Sequence, residues 1–157
     1  MALAYVGRYA TTRAKLVAYL SRKLATRGWD GEGAADVGAV ADRCVALGYI
    51  DDAAFAAMRG AALSRRGYGA RRVAQALRAA GVDADDAAPA EQVARDAAME
   101  AAMAYAKRRR LGPFSNSEVA DVKSQQRCFA ALLRAGHDPE IARCVAYADI
   151  MTFLERR

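Results

Sequence analysis

The stretch "SRRGYGARRVAQALR", residues 64–78, sets Arg65, Arg66, Arg71, Arg72 and Arg78 around a single tyrosine, Tyr68. Guanidinium forks pair with phosphate or carboxylate oxygens, and a tyrosine ring stacks on a base or packs into a protein interface. With Val73 and Leu77 turned inward, Arg71, Gln75 and Arg78 share the opposite face of one helix, because residues three and four apart are neighbours there. The chemistry on offer is recognition of an anionic surface rather than bond making. A structural role is open as well, since Arg65 and Arg66 complement the negative end of a helix and Tyr68 can fill a corner. A second cluster, Lys107, Arg108, Arg109 and Arg110, puts four cations on consecutive helical positions and spreads them over more than half of the circumference. Some must face solvent or a partner, although a helix end would draw the same residues electrostatically. A third group, Arg13, Lys15, Arg22, Lys23 and Arg27, reads as a solvated face whose aliphatic stems lie along the helix.

Groups able to make or break bonds are scarce. In "GYIDDAAFAAMRG", residues 48–60, Asp51 and Asp52 read first as helix-start residues. Asp51 as N-cap leaves Ile50 and Phe55 at the two staple positions and sets Asp52 in the first turn, where the helix dipole favours negative charge. Gly48 then closes the preceding helix in the left-handed conformation. Taken instead as an acid/base or metal site, the pair has no partner nearby. Cys44, Cys128 and Cys144 are odd in number, lack C-x-x-C spacing and fall among apolar neighbours, so each reads as a small buried thiol. His137 is the one histidine, which leaves no triad and no multi-histidine metal site to assemble. Enzymatic activity, a metal centre and a cofactor are not expected.

Charge is uneven along the chain. Residues 1–80 hold 13 Lys and Arg against 6 Asp and Glu, giving +7, while residues 81–157 hold 11 against 12, giving −1. Such an excess suits a polyanion or an acidic protein surface, or simply keeps the protein in solution. Forty of the 157 residues are alanine, the best helix former and a poor source of buried area, so the apolar surface is spread thin. An extended all-helical body follows. No stretch approaches the roughly 20 apolar residues of a membrane helix, and the N-terminus lacks a secretory signal. The expected compartment is the cytoplasm, with no membrane contact.

The elements that must position the basic residues repeat. "LSRKLATRGWD", "VAQALRAAGVD" and "CFAALLRAGHD" each place a leucine (Leu24, Leu77, Leu132) four residues before a glycine (Gly28, Gly81, Gly136) and an aspartate (Asp30, Asp83, Asp138) two after it. This is a helix that buries an i, i+4 pair, stops at glycine and restarts at an aspartate N-cap. "HDPEIA" is the clearest restart, with Pro139 at the first helical position. A further helix precedes each pair, roughly over Leu3–Tyr9, Asp52–Arg66 and Arg95–Arg110. The pattern predicts three tandem three-helix units, 1–48, 49–94 and 95–157, in an elongated array with no strand. Apolar spacing agrees at Val37, Val40, Cys44 and Leu47, at Val122, Phe129, Leu132 and Leu133, and at Ile141, Cys144, Val145 and Ala148. Residues 82–92, with Pro89 and three aspartates but almost no large apolar side chain, predict a short or loosely packed last helix in the middle unit.

With the repeat and the "LGYIDDAAFA" corner in view, the sequence resembles the RecX family of bacterial recombination regulators. "YLSRKLATRGW" is similar to the family's first repeat. "LGYIDDAAFA" with "SRRGYGARRVAQALRAAGVD" is similar to its most recognisable block, and "QQRCFAALLRAGHDPEIARCV" to the third. The resemblance implies an elongated protein that binds the RecA recombinase filament on single-stranded DNA and mostly inhibits RecA ATPase and strand exchange without cofactor or substrate turnover. A repeat array with polar outer ends need not self-associate, so a monomer is expected. The residues alone leave a second reading open, a basic helical module that binds single- or double-stranded nucleic acid directly. Its second-helix start, "GARR", suits phosphates better than base edges.

Overall fold

A computed structural model describes residues 1–115 and 122–147. The described chain folds as α1 (Ala2–Val6), α2 (Arg13–Arg27), α3 (Val37–Ala46), α4 (Asp52–Arg65), α5 (Ala70–Ala79), α6 (Ala84–Asp96), α7 (Ala98–Arg109), α8 (Val122–Arg134) and α9 (Pro139–Tyr147), with one 3₁₀ turn at Gly112–Phe114. No strand occurs among the described residues. The helices pack as three successive triplets, each around its own apolar cluster. Leu16, Leu20, Ala41, Cys44 and Ile50 centre the first, Phe55, Leu63, Val73, Leu77 and Val82 the second, and Cys128, Leu132, Ala142 and Val145 the third. Strong helix contacts stay inside a triplet, apart from the consecutive pair α6 and α7. An array with one small core per triplet is what an alanine-rich chain supports. The expected division at 94/95 falls in the last turn of α6, and we propose Ala97, between α6 and α7, as the join.

The corner between α3 and α4 forms as its residues dictate. Gly48 takes φ 72°, and Tyr49 N–H reaches back to the Cys44 carbonyl at 2.9 Å, closing α3 in the glycine-dependent manner. Asp51 caps α4 by accepting from Ala54 N–H at 2.7 Å. Asp52 has a second role, accepting from Arg13 N–H at 3.0 Å, so one first-turn carboxylate serves the start of α4 and the start of α2. Burial there pushes the Asp52 carboxyl above its ordinary range. Ile50 lies in the first cluster and Phe55 in the second, which ties this corner to both.

Four expectations are corrected. The first repeat does not restart at Asp30. Gly28 leaves α2 with φ 77° and ψ −179°, and α3 begins only after Asp36, whose carboxylate accepts from Ala39 N–H at 2.9 Å. The intervening residues form a loop in which the Trp29 indole donates to the Gly33 carbonyl at 3.0 Å. On α3 burial falls to Ala41 and Cys44, while Val40 and Leu47 are exposed. Cys144 is also exposed rather than buried; Ala142, Val145 and Ala146 carry the inner face of α9, and Ala148 lies outside the described residues. The last helix of the middle triplet is neither short nor loose. It spans thirteen residues and packs closely on α4. Pro89 removes one intrahelical bond, but Ala87, Ala90 and Ala94 form a smooth buried stripe.

That stripe meets Gly60 of α4, at which a Cβ would stand 3.4 Å from both the Ala90 Cβ and Val73 Cγ1. Helix separation follows the size of the side chains at the crossing, so small residues here replace large ones by proximity. Gly60→Ala should be tolerated or gain up to about 1 kcal/mol in helix propensity. Gly60→Leu should lose about 1–3 kcal/mol by overpacking. Urea midpoints, unchanged or raised for Gly60→Ala and lowered for Gly60→Leu, check this.

Candidate functional site

The two basic clusters meet where the second triplet joins the third. The joint is built from helix ends. α5 has no side chain capping its start at Gly69, so its first N–H groups lack intrahelical partners. They find them on carbonyls of the turn that follows α8. Gly69 N–H donates to the Ala135 carbonyl at 3.0 Å, and Arg71 N–H to the Gly136 carbonyl at 3.1 Å. Backbones approach this closely only without side chains between them. A Cβ on Gly69 would overlap the Gly136 carbonyl, and one on Gly136, at φ 87°, would overlap the start of α5 at Arg72. A Cβ on Gly67 would stand 2.8 Å from Tyr105 N. Both glycines of "GYG" therefore serve the joint, and Tyr68 between them packs near Tyr105, with ring centroids 6.3 Å apart. The first joint follows the same plan. Thr12, which caps α2, donates its hydroxyl to the Ala80 carbonyl at 2.6 Å, and a Cβ on Gly81 would overlap that of Ala14.

His137 plugs the second joint. Its ring is 1% exposed and its Nε2 lies 3.0 Å from the Gly67 carbonyl, while Tyr105 presents an edge at 6.1 Å. From the sequence His137 serves only to exclude a triad and a multi-histidine metal site, and its place in the joint is not expected. A signal was present, because the repeat places Trp29, Val82 and His137 at one position, and Val82 is buried in the core of its own triplet. Burial holds the His137 imidazole below its ordinary value, opposed by the Gly67 carbonyl.

Arg108 donates to the Arg66 carbonyl, which sets the end of α7 against the end of α4, so that Arg65 and Arg66 and the run Lys107, Arg108 and Arg109 stand on adjoining helix ends. Two helix C-termini account for roughly one unit of negative charge between them. Five exposed cations exceed that several-fold, so compensation of the helix ends alone leaves most of the charge facing outward. Arg109 lies 5.6 Å over the Tyr105 ring and Arg72 lies 6.0 Å over Tyr68. Arg72 also donates to Gln75 at 3.0 Å. Arg71 pairs with Asp138 at 3.2 Å across the joint, an exposed pair worth little in stability. Arg65, Arg66 and Lys107 have no side-chain partner of this kind among the described residues. Two members stand differently from expectation. Arg110 is not helical but caps α7 in the left-handed conformation, at φ 53°, at a cost on the order of 1 kcal/mol. Arg78 sits on the last turn of α5, about 10 Å along the axis from Arg71 and towards the first joint. In the third basic group Arg13 pairs with Asp42 at 2.6 Å, and Lys15 lies 4.7 Å over Phe55.

Two outcomes check the joint. Gly69 has ordinary extended angles, φ −76° and ψ 166°, so Gly69→Ala suffers from contact rather than backbone strain. It should lose about 1–3 kcal/mol and speed amide exchange at the turn between α8 and α9. His137 has a folded pKa below its unfolded one. Unfolding therefore takes up a proton below about pH 6.5, and stability is level above that value and falls beneath it. Urea midpoints at about pH 7.5 and about pH 5.5 should show this drop, and His137→Gln, which keeps a donor for Gly67, should reduce it.

The folded geometry, all helical and with paired basic helix ends, can be set beside known proteins. The family described as "RecX, second three-helix domain" matches residues 51–90, the stretch from the α4 cap into α6. The "Regulatory protein RecX" of Myxococcus xanthus (strain DK1622) is 35% identical over 157 residues, covering 92% of this chain and 81% of that protein. A match of that extent, with the family's second three-helix domain falling on α4, α5 and the first half of α6, shows that this chain belongs to the RecX family of regulatory proteins.

Proposed function

We propose that the chain docks on a RecA filament assembled on single-stranded DNA and restrains it, acting as a cytoplasmic monomer without catalysis of its own. The observation that carries the reading is the convergence of two basic clusters, about forty residues apart in sequence, on one face of the second joint. Five exposed cations, with Arg109 over the Tyr105 ring and Arg72 nearby over Tyr68, suit an acidic protein surface or a phosphate-lined strand, and a RecA-coated strand offers both. Helix-end pairing at the joint presents these cations on adjoining ends of two triplets, so neighbouring subunits of a filament could be bridged and their exchange hindered. Free DNA is the competing polyanion. Binding to it would tighten as salt falls and would not need RecA.

RecA ATPase on single-stranded DNA, titrated with this protein, should fall at substoichiometric amounts. Reversing charge at Arg66 and Lys107, which hold no joint contact through their side chains, should raise the half-inhibiting concentration about tenfold and leave far-UV helicity intact. An unchanged ATPase rate in the presence of excess protein would overturn the reading.

A further inference from the structure

The first 29 residues hold six Lys and Arg side chains and no carboxylate, and most of that charge lies away from the second joint. α2 carries Tyr19, Lys23 and Arg27 at four-residue intervals, so they follow one another along its surface about 6 Å apart. α1 packs beside them. The Tyr5 and Tyr19 rings stack with centroids 4.1 Å apart and planes 15° from parallel. Tyr9 tilts onto Tyr5 at 5.5 Å and 51°, and Lys23 Nζ stands 5.8 Å from the Tyr19 ring. Ala4, Tyr5, Arg8, Tyr9, Tyr19 and Lys23 bound an open cavity of about 520 Å³, with three rings, two cations and no acid.

Packing of α1 on α2 accounts for Tyr5 and Tyr19, which are half-buried. It does not account for Tyr9, which is 54% exposed and adds little burial. We propose that this cavity takes an unpaired base of single-stranded nucleic acid, stacked against Tyr9 with Tyr5 and Tyr19 behind it. The flanking phosphates then lie against Arg8, Lys23 and Arg27. Aromatic rings interleaved with cations are the arrangement that holds single strands without reading sequence, because every base has a face to stack. An acidic peptide would use the cations and leave the rings idle. This site needs no RecA, so it and the filament reading can fail separately.

Fluorescence anisotropy of the full chain with a labelled oligothymidylate, in the absence of RecA, tests the proposal. Tyr9→Ala should weaken binding about tenfold, and Tyr9→Phe, which keeps the ring, should not. A strand of equal length and charge with abasic sugars should bind the unaltered protein about as weakly as the oligothymidylate binds Tyr9→Ala. Lys23→Gln should lower the salt slope by about 0.7. Three results would overturn the proposal. One is abasic and thymidylate strands binding alike. Another is Tyr9→Ala binding as tightly as the unaltered protein. The third is no oligothymidylate binding at low salt. A glutamate-rich peptide that displaces the strand from Tyr9→Ala and the unaltered protein at equal concentrations would assign the surface to acidic protein instead.

Discussion

Helix ends that satisfy one another hold the second and third triplets together. α5 starts on a glycine that cannot cap it, and α8 ends with carbonyls its own helix cannot use. Two backbone hydrogen bonds between Gly69, Arg71, Ala135 and Gly136 settle both deficits at once. Each bond contributes only about 1 kcal/mol, but leaving such groups buried and unpaired costs about 1–3 kcal/mol apiece. The joint is therefore favoured less by the strength of its bonds than by the penalty of opening it. Its demand on the sequence is severe, since Gly67, Gly69 and Gly136 all lie where a Cβ meets backbone. The first joint meets the same need with a threonine hydroxyl and a glycine facing Ala14, so one solution recurs with different atoms.

The docking surface proposed for the chain inherits its geometry from that joint. α4 and α7 end side by side because Gly67 admits the Tyr105 backbone and Arg108 reaches the Arg66 carbonyl. Their cations do three things in turn: they answer the helix dipoles, place Arg109 over Tyr105, and leave a remainder turned to solvent. Arginine suits all three, since its fork donates to carbonyls while its plane covers a ring. The small apolar cores lend the array little rigidity by mass. Close crossings, as at Gly60 with Ala90, supply it through proximity instead.

Much of this was legible in the sequence, and each failure has its own physical cause. The all-helical class, the triplet pattern, the Gly48–Asp51 corner and the inward Val73 and Leu77 follow from local rules of spacing and capping. The convergence of residues 65–66 with 107–109 was not legible, because nothing local says that α7 ends against α4. Nor was the role of "GYG", because nothing local says that the Tyr105 backbone meets Gly67 and that the turn after α8 meets Gly69. The expected looseness of α6 failed because apolar volume was taken as the measure of packing, whereas alanine packs by approach. The Asp30 restart failed because an aspartate two residues after glycine is a cap only if the chain turns at once, and here it first runs through the Trp29 loop. Cys144 failed because periodicity alone could not decide which side of α9 its neighbours would cover.

Hydrogen exchange of this protein, alone and with RecA bound to single-stranded DNA, addresses the central claim most directly. Added protection should appear together at residues 64–72 and 105–111, two segments far apart in the chain and adjacent only across the joint. Protection confined to one of them, or found only elsewhere in the chain, would contradict the account.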